Sequence, residues 1–273
     1  MIDLHCHSTY SDGTCTPLEI LELAQKLKLR QLAITDHNGI DGALTARNII
    51  KENGLDMNFV IGCKLSVDYH NREVHLLGYF NMKQDDFDSL LEFIEDGQKE
   101  KLRSQLVMIE KLNNAGFDIS YQEIKEMFPH TVINRVHMCK VLMFKGYINS
   151  VNEGFEKYLG DDRPCYESKK CGTLKKTVEA IHNSHGKAVL AHPFQYVDRD
   201  IEEYLSDVLG VLDGIECFHP SVNYNQSLEL LDICQSYQLI STGGSDFHGD
   251  NKPKIQLGCQ NVDDKYMGRV KSL

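Results

Sequence analysis

Histidine and aspartate residues, two side-chain types that commonly bind metal ions, recur in short segments along this chain. Four segments carry them, each at the end of an apolar stretch: His5 and His7 with Asp12, Asp36 with His37, His192, and Asp246 with His248. Neutral imidazole is a good ligand for zinc, iron and manganese, and carboxylate suits the harder of these ions. Metals held close together generate hydroxide at neutral pH, hold phosphoryl oxygens and neutralise a leaving oxygen. The residue types therefore favour phosphate ester cleavage at a metal site.

The spacing within these segments would bring the side chains together. Alternate residues of a strand share one face, so His5 and His7 point the same way, as do Asp246 and His248. Residues at the carboxyl ends of strands converge on one rim of an α/β barrel. His75, on a predicted fourth strand, would join them there. The histidine of a single motif of this kind more often has a structural role. The joint occurrence of several such motifs at strand ends is what favours a metal site.

The elements that must position these side chains follow from the apolar pattern. The first part of the chain predicts strands at 2–6, 31–35, 59–66 and 74–80, the last two as a hairpin around Asn71. Helices are predicted between the first three, at 17–28 and 41–53. The alternation returns with a helix at 173–184 and a buried strand at 187–191. This alternation predicts an α/β protein with a mostly parallel sheet, closed as a barrel.

The middle of the chain, from about residue 85 to 160, has a helical pattern with few strand signals. Apolar residues recur there at helical spacing, among them Leu90, Phe93, Ile94, Leu102, Leu106, Ile109 and Leu112. We therefore predict a barrel formed by residues 1–84 and 161–273, with residues 85–160 as a helical insertion that caps the substrate.

Composition limits the partners of this protein. The net charge of −11 argues against a protein that coats duplex DNA through a basic surface. Bound divalent metals would still attract a small phosphorylated substrate. No apolar run is long enough to cross a bilayer. The first residues lack the basic and apolar regions of a signal peptide, and the cysteines form no CxxC pair. We therefore expect a cytoplasmic protein with reduced thiols and no membrane partner.

The motifs resemble, in sequence and in order, those of the PHP (polymerase and histidinol phosphatase) family. They are DLHCHS at 3–8, SDG at 11–13, TDHN at 35–38, VHLLGY at 74–79, AHP at 191–193 and GSDFHG at 244–249. The resemblance spans nearly the whole chain. It implies a distorted (β/α)7 barrel of the TIM type, with up to three divalent metal ions such as manganese, zinc or iron.

The resemblance also implies a role for each histidine and aspartate of the motifs. Three metal subsites are expected, held by His5, His7 and Asp246, by His75 and His192, and by Asp12, His37 and His248. The members of the third subsite are also the catalytic candidates, since His248 or Asp12 could assist proton transfer.

Residues 133–137 and 155–160 resemble the insertion of a PHP subgroup that acts on small phosphorylated nucleotides and RNA ends. This likeness implies that Arg135, with Asn134, contacts a substrate phosphate, a task that suits the guanidinium fork. Lys99 and Arg103 on the preceding helix could help. The alternative for these two residues is an exposed helix face.

One position departs from the family pattern. The family carries a glutamate that bridges two metals in the segment G-x-E-[IL]-S, and Lys64 stands in its place here, between Cys63 and Leu65. An ammonium group cannot ligate a metal, so occupancy of the first two subsites should be reduced. Asp68 or Glu73 could substitute, although a solvated hairpin end is the preferred role for both.

The sequence thus predicts a metal-dependent phosphoesterase that acts on a small phosphorylated metabolite. A nucleoside 3′,5′-bisphosphate or a short oligoribonucleotide is the preferred substrate. One alternative is a histidinol-phosphate or phosphotyrosine phosphatase. Another is a catalytically impaired relative that binds a phosphorylated ligand, because Lys64 replaces the bridging carboxylate.

Overall fold

The structure, a computed structural model, describes residues 1–70, 72–129, 133–168, 172–197 and 200–260. The chain divides into two compact units, one formed by Met1–Ile94 with Cys171–Leu273 and the other by Glu95–Lys170. The predicted hairpin turn at Asn71 lies outside the described residues.

A single mixed sheet forms the centre of the first unit. Its eight strands within the described residues are β1 (Ile2–Asp3), β2 (Gln31–Ile34), β3 (Asn58–Tyr69), β4 (Arg72–Phe80), β5 (Gly172–Thr173), β6 (Lys187–Leu190), β7 (Gly214–Phe218) and β8 (Ile240–Gly243). Seven strands follow the order β1-β2-β3-β4-β6-β7-β8, and β5 pairs with β3 outside this path. Strand β4 is antiparallel to both of its neighbours, whereas the other pairs are parallel.

Backbone hydrogen bonds join the two ends of this path. The Leu4 N–H donates to the Gly243 carbonyl at 3.1 Å, and the His7 N–H donates to the Phe247 carbonyl at 2.9 Å. Cys6 and Phe247 also form a parallel bridge. The sheet is therefore a nearly closed barrel that the antiparallel β4 distorts, and the predicted α/β barrel is confirmed.

Helices follow most of the strands and also build the second unit. In chain order they are α1 (Pro17–Lys26), α2 (Asp41–Asn53), α3 (Asp88–Asn114), α4 (Tyr121–Met127), α5 (Arg135–Phe144), α6 (Val151–Gly154), α7 (Leu174–Asn183), α8 (Ile201–Leu205) and α9 (Tyr224–Tyr237). Local sequence explains where α1 begins. Thr16 and Glu19 form a reciprocal capping box, and Pro17 takes the first turn, where no N–H is needed.

Apolar side chains from alternate strand positions fill the inside of the barrel. They include Leu4, Ala33, Val60, Leu77 and Val189. The Tyr79 hydroxyl donates to the Leu4 carbonyl at 2.8 Å, which satisfies its polar end within this core. A second apolar layer, with Ile20, Leu21, Ile50 and Ile181, packs the helices against the outside of the sheet.

The second unit has its own apolar core. Leu112, Ile124, Met138, Leu142 and Leu159 are buried together in it. A short π-helical turn, Phe155–Leu159, follows α6 directly. Among the helices of the described ranges, none combines the length and the apolar character that a bilayer span requires.

Candidate metal centre

Three histidines surround one aspartate just beyond the ends of the barrel strands. His7, Asp12, His37 and His248 offer ligand atoms that all lie within 4.8 Å of one another. Asp12 Oδ1 is 3.3 Å from His248 Nε2 and 3.5 Å from His7 Nδ1, and Asp12 Oδ2 is 3.9 Å from His37 Nε2. Imidazole nitrogens around a carboxylate are a suitable donor set for a divalent metal ion. We call these residues the Asp12 group.

The protonation of these imidazoles suits metal binding. His248 Nδ1 is 2.7 Å from the Asp246 carbonyl oxygen, which can only accept, so Nδ1 donates this bond and Nε2 is the ring nitrogen that faces Asp12. Burial lowers the pKa of His7 well below its usual value. Burial, reinforced by the Lys64 charge, lowers the pKa of His37 to about 2. Neutral imidazoles need not lose a proton before they bind a metal.

A buried carboxylate fixes the loop that precedes Asp12. Asp36 accepts hydrogen bonds from the Ser8 N–H at 2.8 Å, the Ser8 hydroxyl at 2.7 Å and the Ser11 hydroxyl at 2.6 Å. Helix α2 approaches Asp36 so closely that a Cβ atom at Gly42 would lie 2.0 Å from Asp36 Oδ2. Asp36 is thus a positioning residue, and it holds the loop that carries Asp12.

Replacing Asp36 by alanine should therefore affect both stability and metal binding. We expect the free energy of unfolding to fall by about 2–3 kcal/mol, because buried hydrogen bonds to a charged group are lost. The affinity for Mn²⁺ should fall by about 10–100-fold, because the loop with Asp12 loses its support. Chemical denaturation and calorimetric titration with Mn²⁺ measure the two effects, with the exposed Asp41→Ala as the control. Unchanged Mn²⁺ affinity in a destabilised Asp36→Ala protein would show that Asp36 does not position Asp12.

A second group of possible ligands adjoins the first. His5, His219 and Asp246 also offer atoms within 4.8 Å of one another. Asp246 Oδ1 is 3.0 Å from His5 Nε2 and 3.2 Å from His7 Nε2, and Asp246 Oδ2 is 3.6 Å from His219 Nε2. We call His5, His219 and Asp246 the Asp246 group, and His7 faces both groups through its two ring nitrogens.

The histidines of this region carry buried nitrogens without hydrogen bonds. The Nε2 atoms of His5, His7 and His219 lie close to Asp246, but none has hydrogen-bond geometry to a partner among the described residues. Burying a polar atom without a partner is unfavourable. These three ring nitrogens point to the same place and do not hydrogen-bond to one another. Their arrangement is the one expected of ligands to a cation, so the donor set is suitable for a metal ion.

Glu216, on β7, orients His5 of the Asp246 group through a hydrogen bond. Its carboxylate accepts from His5 Nδ1 at 2.8 Å and from the His192 backbone N–H at 2.8 Å. This bond turns His5 Nε2 towards Asp246, as carboxylates behind metal-binding histidines commonly do. Although burial opposes it, the neighbouring His5 and His219 lower the pKa of the Glu216 carboxyl.

Sequence reasoning did not find Glu216 or His219. His219 comes directly after β7 and is followed by a proline, as His192 comes after β6. The strand-end rule that selected His192 would therefore have selected His219 too. Nothing comparable marks Glu216, because a single acid within an apolar strand gives no sign of its partner.

His75 and His192, proposed as ligands of one metal, lie side by side. His75 Nδ1 is 3.4 Å from His192 Nε2, and the Tyr196 hydroxyl is 3.1 Å from His192 Nδ1. Among the described residues, neither belongs to a cluster of three or more ligand atoms within 4.8 Å. The rings of His37 and His5 are their neighbours, with centroids 5.3 Å from His75 and 5.9 Å from His192 respectively.

Lys64 projects into the Asp246 group. Its side chain is 3% exposed, and its Nζ donates to Asp246 Oδ1 at 3.3 Å. The backbone holds it in place: the Lys64 N–H donates to the Asp36 carbonyl, and the Asn38 N–H donates to the Lys64 carbonyl. Burial lowers the pKa of the Lys64 ammonium, whereas Asp246 and Glu216 oppose this change.

The predicted substrate-binding residues of the second unit all have partners within that unit. Asn134 caps α5, where its side chain accepts from the Val136 N–H at 3.0 Å. Arg135 donates to the Leu159 carbonyl and to Asp161 Oδ1, both at 2.9 Å. Its guanidinium also stacks on two rings, those of Phe155 and Tyr166.

Lys99 and Arg103 form ion pairs on the exposed side of α3. Lys99 contacts Glu95 and Asp96, one turn or less away. Arg103 contacts Glu100 and also Glu167, which lies beyond the helix. Exposed pairs of this kind are weak, so they would yield to a stronger ligand.

A barrel with two groups of possible metal ligands at its rim is the arrangement expected of a metal-dependent phosphoesterase. The family model described as "PHP domain" matches residues 3–160, more than half of the chain. The chain belongs to the PHP family, and the resemblance seen in its motifs is confirmed.

Known proteins similar to this chain include two curated relatives and a solved structure. The 5′-3′ exoribonuclease Rnm of Escherichia coli is 29% identical over 94% of this chain and 87% of its own length. The 3′,5′-nucleoside bisphosphate phosphatase of Chromobacterium violaceum is 30% identical over 94% of this chain and 90% of its own. A structure assigned as a metal-dependent phosphoesterase of Bifidobacterium adolescentis has a TM-score of 0.71 at 27% identity and covers 96% of both chains.

Proposed function

We propose that this protein hydrolyses a phosphate ester of a nucleoside 3′,5′-bisphosphate or of a short oligoribonucleotide. The observation that carries the proposal is the Asp12 group, in which one carboxylate faces three imidazoles at the rim of the barrel. The substrate class is supported by the similarity over most of the chain to an exoribonuclease and to a nucleoside bisphosphate phosphatase.

A divalent ion at the Asp12 group, when bound, supplies Lewis-acid polarisation of the phosphate ester. His248 is oriented for this site, since its Nδ1–H is held by the Asp246 carbonyl and its Nε2 faces Asp12. The Asp12 side chain is 56% exposed, so a substrate can approach it from solvent. Although burial opposes it, the neighbouring His248, His7 and His37 lower the pKa of the Asp12 carboxyl, which keeps it ionised as a ligand. His37 Nε2 lies 3.9 Å from the other carboxylate oxygen, Asp12 Oδ2.

We further propose that the protein holds fewer than three metal ions. The buried Lys64 ammonium lies 3.3 Å from Asp246 Oδ1, where its positive charge opposes a second cation. The Asp12 group contains no lysine and keeps all the ligands assigned to it. Manganese, zinc and iron all suit its histidine-rich donor set.

The proposed substrate contacts lie in the second unit, where Arg135 would bind a phosphate. The Asp161 side chain that now pairs with Arg135 is 76% exposed, and such a pair contributes little. A dianionic phosphate could therefore displace Asp161 while Leu159 keeps its hydrogen bond. Asn134 positions Arg135 by capping α5, and Lys99 and Arg103 would contribute positive charge.

Replacing Arg135 by alanine tests the substrate class. We expect kcat/KM for a nucleoside 3′,5′-bisphosphate to fall by about 10–100-fold, since a charge-assisted contact to one phosphate is lost. The metal content should not change, and activity on a simple aryl phosphate should fall far less. Arg163→Ala, an exposed arginine of the same unit, is the matched control. Equal activity of Arg135→Ala and wild type on the bisphosphate would refute this substrate assignment.

Lys64 favours one second candidate function, a protein that binds a phosphorylated ligand without turning it over. The lysine occupies the inside of the Asp246 group, where it competes with a metal. Turnover decides between the two functions. Multiple turnovers of a bisphosphate by Mn²⁺-loaded wild type would exclude the binding-only function, and tight binding without product would support it.

A further inference from the structure

Two lysine side chains converge on the same carboxylate at the barrel rim. Lys64 donates to Asp246 Oδ1 from inside the barrel, and Lys252 forms a short ion pair with Asp246 Oδ2. A short turn, Gly249–Asn251, begins directly after His248, and Lys252 is the next residue. It is not a member of either ligand group, and neither the motifs nor the mechanism above assigns it a role.

Each of these ammonium groups has donors that the contact with Asp246 does not use. A lysine ammonium carries three N–H donors, and among the described residues each of the two side chains donates to one oxygen of Asp246. Lys64 and Lys252 therefore bring further donors to the same place on the rim, where an oxygen of an anionic ligand could accept them.

The two lysines differ in a way that suits such a site. Lys64 is 3% exposed and its backbone is held by hydrogen bonds on both sides, so its side chain is fixed in position. The Lys252 side chain is 42% exposed, so it remains accessible to a ligand from solvent. The segment before Lys252 is held beside Asp12, because the Asn251 side chain donates to the Asp12 carbonyl at 2.7 Å.

We propose that Lys64 and Lys252 form an anion subsite that binds a phosphoryl oxygen of the substrate directly beside the Asp12 group. Lysine binds phosphate as a point charge, and its three donors allow it to contact Asp246 and a phosphoryl oxygen together. This subsite rests on the proposed function in one respect, because the anion that it binds is taken to be the phosphate of the substrate. Binding of the phosphate itself does not depend on turnover.

A purely structural role for Lys252 is the competing explanation. A half-exposed lysine paired with a carboxylate would then stabilise the turn and nothing more. Phosphate binding separates the two roles, because a structural lysine would not change it.

The test is the binding of inorganic phosphate to the whole chain after metal removal with a chelator, followed by phosphorus NMR titration. The variants are Lys252→Met and Lys64→Met, with the exposed Lys254→Met as a matched control for the loss of one charge. We expect Lys252→Met to weaken phosphate binding by about tenfold or more, as for a lost charge-assisted hydrogen bond. Lys254→Met should bind phosphate as the wild type does.

Equal phosphate affinity in Lys252→Met and Lys254→Met would overturn the proposal, as would a wild type that binds no phosphate at millimolar concentration. If Lys64→Met fails to fold, as judged by circular dichroism, Lys252→Met still decides the matter. A subsite that binds phosphate in a protein without turnover would refute the proposed activity and leave the subsite intact. Turnover by the wild type, together with unchanged phosphate binding in both lysine variants, would refute the subsite and leave the proposed activity intact.

Discussion

Replacing Lys64 by glutamate should raise the metal content of the protein by about one ion per chain. The change removes an ammonium group 3.3 Å from Asp246 Oδ1 and puts a carboxylate in its position. Asp246, His5 and His219 then gain an oxygen ligand and lose the charge that opposes a cation, both of which favour a divalent ion. Elemental analysis of protein purified without chelator, supported by calorimetric titration with Mn²⁺, measures the effect.

Two controls separate the causes of this gain. Lys64→Met removes the charge without adding a ligand, so it should bind the additional ion more weakly than Lys64→Glu. Lys83→Glu makes the same charge change at an exposed position and should leave the metal content unchanged. Equal metal content in wild type and Lys64→Glu would mean that Lys64 does not limit occupancy. A large rise in turnover with Lys64→Glu would show in addition that the wild-type site is impaired.

Replacing Asp12 by alanine should reduce phosphoesterase activity by more than about 100-fold, since a direct ligand matters at least as much as the residues that support it. Asp12 faces His7, His37 and His248, and it is the one carboxylate among them. Its side chain is 56% exposed, so the fold should tolerate its loss. The Asp12→Ala variant should therefore melt near the wild-type temperature while it binds Mn²⁺ much more weakly.

The control for this variant is Asp56→Ala, which removes an exposed carboxylate from the same unit. Activity and Mn²⁺ affinity are measured together, because the two should fall in parallel if Asp12 acts through the metal. Retention of most of the activity by Asp12→Ala would contradict the role given to the Asp12 group.

The fold was largely predictable because its strands and helices carry periodic patterns. The strands predicted at 31–35 and 187–191 correspond to Gln31–Ile34 and Lys187–Leu190. The antiparallel pairing of β3 with β4 was predicted as a hairpin, whereas the antiparallel pairing of β4 with β6 was less accessible. A sheet pairing joins residues far apart in sequence, such as Leu77 with Val189, and no local pattern encodes such a pair.

The metal site shows the same division between local and distant information. The family resemblance placed Asp12, His37 and His248 in one predicted subsite, and the structure adds His7 to them. His219 had a usable signal in the His-Pro step after β7, whereas Glu216 had none. The identity of Lys64 was visible in the sequence. Its contact with Asp246, and the convergence of Lys252 on the same carboxylate, required the fold.

The most direct test is anomalous diffraction at the manganese edge from crystals of the wild-type protein grown with Mn²⁺. We predict a strong anomalous peak enclosed by His7, Asp12, His37 and His248, with Lys64 still in contact with Asp246. The absence of a peak within the Asp12 group, or a peak only beside Asp246, would contradict a metal centre built on Asp12.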